Sequence, residues 1–149
     1  MAVRHLPAQG SWLVAESPRF RLYHQNKELA DQALAVAERT LDAVAGKWLG
    51  GQLPNPWSSK CDLYLHANGQ AYSQATGAPA ESPGHSSISA DPKDATQVQH
   101  RRIDLRVDHA HLLTAVLPHE VTHAVLAGQV GRRPIPRWAD EGLAVLSET

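Results

Sequence analysis

The sequence predicts an α+β domain: a small mixed sheet of about four strands packed on an N-terminal helix and a later helix, followed by one more short helix. Three observations carry this prediction. Several short runs alternate apolar and polar residues at period two, as half-buried strands do. One long stretch, residues 27–49, repeats its apolar positions every three or four residues. A second helical pattern stands near the C-terminus, punctuated by Pro and Gly. At 149 residues and 42% hydrophobic content the chain suits one core, so residues 1–149 are read as one domain.

Residues 1–18 hold Pro7, Gly10 and Pro18 around Trp12-Leu13-Val14, an entry segment with a short strand near Trp12. Phe20-Arg21-Leu22-Tyr23-His24 alternates as a strand with one buried face, and His24 is read as a surface residue at its end. In the helix that follows, Leu29, Ala33, Leu34, Ala37, Leu41, Val44 and Trp48 form the apolar stripe. Asn26 caps its start, and Glu38 and Asp42 fall on the face expected to be solvated. Cys61-Asp62-Leu63-Tyr64-Leu65-His66 is the next strand, and residues 70–76 fit a short helix. The polar run from Gly84 to Ala90 suits a sheet edge, with Asp91-Pro92-Lys93-Asp94 as a turn. Residues 102–107 alternate cleanly and read as an interior or next-to-edge strand. Asp108 is placed to cap a helix over 109–127, in which Pro118 predicts a kink or an irregular turn. Pro136 opens the last helix at Arg137.

Charge and cysteine usage exclude several classes. Fourteen basic against fifteen acidic residues give a net charge of -1, so no electrostatic footprint points to nucleic acid. The pairs Arg101-Arg102 and Arg132-Arg133 are short and read as solvated. Cys61, the single cysteine, excludes an internal disulfide and reads as a buried inert thiol. No run of about 18 apolar residues is present, so no membrane span is expected. Residues 1–10 lack the apolar core of a signal peptide, and the compartment stays open.

The chemistry concentrates in His119-Glu120-Val121-Thr122-His123 and in Glu141, which follows after seventeen intervening residues within Trp138-Ala139-Asp140-Glu141-Gly142-Leu143-Ala144. Residues i and i+4 share a helix face, so His119 and His123 can direct two imidazole nitrogens at one zinc ion. Glu141 is the candidate third ligand. That set leaves a fourth position for water, with Glu120 beside it as the general base of the His-Glu-x-x-His motif. His109 and His111 are too far along the helix axis to share that metal. Trp138, three residues before Glu141, is expected on the same face, near the metal.

These residues resemble the gluzincin metallopeptidases, the group of thermolysin-like enzymes and zinc aminopeptidases, and most of all their small peptidase MA-like members. The specific part of the resemblance spans residues 117–144, under a quarter of the chain. It implies zinc held by His119, His123 and Glu141, with Glu120 as catalytic base for hydrolysis of peptide bonds in a peptide or protein substrate. It also implies that the run at Ser86, Ser87 and Ile88 is the edge strand on which an extended substrate pairs through its main chain. An edge strand without a partner is the equal alternative.

Two departures from the family pattern stand out. Thermolysin-like enzymes orient a histidine with an Asp one turn after the ligand Glu, and Val145 occupies that position here. Asp140, Glu148 or a backbone carbonyl are the available substitutes. The sequence also stops eight residues after Glu141, before the helical portion that would supply an oxyanion-stabilising Tyr or His, so a minimal domain or a fragment is expected. Tyr23, Tyr64, Tyr72 and His85 remain as candidates for that role. A peptide-recognition module that binds zinc without turnover is the rival reading.

Overall fold

The computed structural model describes residues 1–129 and 135–148. Six strands form one mixed sheet: β1 (Arg4–Gln9), β2 (Trp12–Glu16), β3 (Phe20–His24), β4 (Cys61–His66), β5 (Gly84–Ala90) and β6 (Val98–Arg106), in the order β1-β2-β3-β4-β6-β5. The pairs β1/β2, β2/β3 and β5/β6 are antiparallel, whereas β3/β4 and β4/β6 are parallel. Helix α1 (Lys27–Trp48) makes the crossover from β3 to β4, which a parallel pair requires. Helix α2 (Gly69–Thr76) follows β4, α3 (Leu117–Leu126) follows β6, and α4 (Arg137–Val145) comes last.

The core follows from the alternation. Phe20 and Leu22 of β3, Cys61, Leu63 and Leu65 of β4, and Ile103 and Leu105 of β6 all face the same side. Against them lie Ala33, Leu34, Ala37 and Leu41 of α1, and Leu117, Val121 and Val125 of α3. Burial pushes the Cys61 thiol far up, out of reach of ionisation at neutral pH, as an inert core cysteine requires. On the other face Tyr23 and Tyr64 stack at 4.3 Å, and α2 covers His66 with Tyr72.

The sheet has six strands rather than about four. Strand β1 escapes sequence reading because its side chains are mostly exposed and Pro7 interrupts it, features tolerated only at an edge. Strand β6 begins at Val98, ahead of the alternating run, where it pairs with β5. At Gly84 the two strands approach so closely that a Cβ would lie 2.6 Å from Leu105 Cδ2 and 2.8 Å from the Asp104 carbonyl.

The helix after β6 also begins differently. Asp108 does not cap it, because its carboxylate takes two hydrogen bonds from Arg106 at 2.7 and 2.9 Å. A π-helical turn, Leu112–Val116, comes first, and α3 continues from it with Pro118 in its opening turn. The widened turn is the irregularity that Pro118 predicts, since a ring there clashes with a regular preceding turn.

Three polar groups expected in solvent are buried instead. Glu38 accepts from Ser17 Oγ at 2.7 Å and Arg19 Nε at 2.6 Å, which ties α1 to the β2–β3 turn. Arg101 donates to the Ala124 and Ala127 carbonyls at 2.9 and 3.1 Å and stacks on Trp57. It thereby caps the C-terminal end of α3. His24 is buried as well, at the end of β3. Arg132-Arg133 and most of the connection before Pro136 lie outside the described residues.

Candidate metal centre

Helix α3 supplies two histidines one turn apart. His119 Nε2 and His123 Nε2 stand 3.1 Å from each other, and Glu141 Oε2, carried by α4, lies 3.5 Å from the first and 3.7 Å from the second. These are the separations a tetrahedral metal demands: zinc–ligand bonds of about 2.0–2.1 Å place neighbouring ligand atoms about 3.3 Å apart. The protonation pattern agrees. His119 Nδ1 hydrogen-bonds to Glu148 Oε1 at 2.8 Å, and His123 Nδ1 to Asp140 Oδ1 at 2.9 Å. A carboxylate can only accept, so Nδ1 is the donor in each of these contacts, which leaves Nε2 as the atom each ring can offer a metal. The two Nε2 atoms and the Glu141 oxygen face one another, an arrangement that a proton bridging the imidazoles or a cation among them satisfies. The donor set therefore fits zinc, and among the described residues it is the one such group of His, Cys, Asp and Glu.

Glu120, next to His119, is nearly buried on the wall of the same cleft. Burial raises its carboxyl above the ordinary value, against the opposing pull of His123, His119 and a hydrogen bond from the Ser86 hydroxyl.

The cleft measures about 580 Å³ and runs from the two histidines toward the β5–β6 hairpin and the end of α3. Its walls carry Ser86, Ile88, Val98, Leu126 and Ile135, with no lysine or arginine among its described lining residues. Of the three edge-strand residues singled out from sequence, Ser86 and Ile88 line the cleft and Ser87 does not. Among the four candidates for an oxyanion group, His85 lines the cleft, with its Nδ1 held by Tyr72 at 2.6 Å. Tyr72 is itself buried, and Tyr23 and Tyr64 belong to the opposite face of the sheet.

Trp138 corrects the sequence reading. It is 80% exposed and does not pack against the histidines. Asp140 and Glu148 take up the two outward ring nitrogens, the first from the residue beside the ligand and the second from beyond the end of α4. His109 and His111 pack on each other at the approach to the π-helical turn, outside the donor set.

Comparison of the chain with protein-family models, with curated proteins and with solved structures finds no match. No helix among the described residues is long and apolar enough to cross a membrane.

Proposed function

We propose that this chain is a zinc-dependent metallopeptidase of the gluzincin kind, hydrolysing peptide bonds in an extended peptide or protein substrate. One observation carries the reading: His119 Nε2, His123 Nε2 and Glu141 Oε2 converge at tetrahedral spacing beside the half-turn that holds Glu120. When bound, zinc supplies Lewis-acid polarisation of water and of the scissile carbonyl. The chain's own residues do the rest. Glu120 takes the proton from the attacking water and returns one to the leaving amine. Asp140 and Glu148 keep the imidazoles in register. Strand β5 ends the sheet order among the described residues, so its outer edge can pair with a substrate main chain passing Ser86 and Ile88.

The test is Glu120→Gln. The variant keeps shape and hydrogen bonding but cannot accept the proton. It is expected to bind zinc as the parent does while its turnover of an unstructured protein falls by at least about 100-fold. Undiminished turnover at equal zinc content contradicts the assignment of the base.

A further inference from the structure

Residues 137–148 meet the rest of the protein through buried Ala144, through Leu143, which packs on the core, and through a set of carboxylates. Of the nine residues of α4 only Ala144 is buried, while Trp138, Val145 and Leu146 are 80, 55 and 63% exposed. A helix this short has little stability by itself, and its apolar support comes from Leu143 and Ala144. What it presents to α3 is a set of three carboxylates. Asp140 Oδ1 meets His123 Nδ1, Glu148 Oε1 meets His119 Nδ1, and Glu141 Oε2 faces both Nε2 atoms. Each imidazole is thus gripped at both nitrogens by one short stretch of chain.

We infer that residues 137–148 act as a single metal clasp, with Glu141 as ligand and Asp140 and Glu148 as positioning residues for His123 and His119, so that zinc binding and docking of α4 on α3 are one linked equilibrium. The inference rests on the ligand set proposed above and goes beyond it in two ways. It gives Asp140 and Glu148 a share in metal affinity, because a carboxylate on Nδ1 fixes the ring and strengthens Nε2 as a donor. It also makes α4 depend on the metal. Without a cation, docking rests on Leu143, Ala144 and the carboxylate–imidazole contacts alone. With a cation, Glu141 joins both histidines on one centre, and a ligand that binds only the docked form stabilises it by mass action.

The experiment uses the full chain and two readouts that do not involve turnover: zinc affinity by competition with a chromophoric chelator, and amide hydrogen exchange with and without zinc. Asp140→Asn and Glu148→Gln are each expected to weaken zinc binding by about 10–100-fold. Glu28→Gln, at an exposed position of α1, is expected to leave it unchanged. Glu148→Gln, which keeps an acceptor oxygen, should hold zinc more tightly than Glu148→Ala, a ranking that lost packing alone does not produce. Amides of α4 should exchange rapidly without metal and become protected at saturating zinc, while those of β4 stay protected in both states. If Asp140→Asn does not fold, Glu148→Gln and the zinc dependence of α4 exchange decide the matter. Parental zinc affinity in both variants, or α4 exchange indifferent to zinc, overturns the clasp while leaving the ligand set standing. A parent chain that takes up no zinc overturns both.

Discussion

The imidazole Nε2 atoms of His119 and His123 stand 3.1 Å apart, each ring anchored from behind by a carboxylate of the 137–148 segment. Neither ring is free to turn away, so the pair is preorganised. His123→Ala removes one donor and the anchoring of Asp140 together. Zinc retained after gel filtration is expected to fall from one per chain toward none, with the α1–sheet core unaffected, as read by metal analysis beside circular dichroism.

Gly84 sets the distance between the edge strand and its neighbour. An alanine there would press on Leu105 and on the Asp104 carbonyl, and backbone cannot move aside as a flexible side-chain end can. Gly84→Ala is expected to destabilise the protein by about 1–3 kcal/mol in denaturant unfolding. It should also raise KM more than it lowers kcat, because β5 shifts relative to α3.

Arg101 is a buried cation whose partners are carbonyls at the end of α3. Burial lowers its pKa to about 10, which still leaves it charged at neutral pH. Arg101→Ala strips the cap from the helix that carries both histidines and leaves those carbonyls unmet. A loss of about 3 kcal/mol is expected, measurable as a lower denaturation midpoint at an unchanged slope.

His24 gives the stability of the fold a pH dependence remote from the metal centre. Burial, aided by neighbouring His5, holds its pKa below the ordinary value. The unfolded chain therefore binds the proton first as pH falls. Stability is unaffected by this group above about pH 6.5, declines below it, and levels off once the folded protein is protonated too. His24→Phe fills the space without ionising. Unfolding free energies measured from pH 8 to pH 5 should show a shallower decline in the variant than in the parent.

The parts of this fold legible in the sequence are those where one periodicity acts alone. Strands β3 and β4 keep strict alternation, and α1 keeps its three-to-four repeat across 22 residues. The facing of His119 and His123 was legible from their i,i+4 spacing, while Glu141 was expected beside them from its spacing and from the resemblance of its surroundings to the gluzincin pattern. What could not be read depends on tertiary partners. Glu38 and Arg101 look like surface charges until Ser17, Arg19 and the α3 carbonyls are brought to them. Asp108 looks like a cap until Arg106 claims it. Trp138 shares a helix face with Glu141 in projection, yet α4 touches α3 along the side of Asp140 and Ala144, which leaves the indole outside. Which carboxylate meets which histidine was open for the same reason, because it depends on how α4 lies on α3.

The most direct test of the central claim is release of new α-amino groups from an unfolded polypeptide by the chain loaded with one equivalent of zinc. The account predicts steady release that stops when a chelator removes the metal and resumes when zinc is restored. A chain that holds one zinc at this site and releases no amines would contradict it, and would leave a metal-stabilised peptide-binding domain in its place.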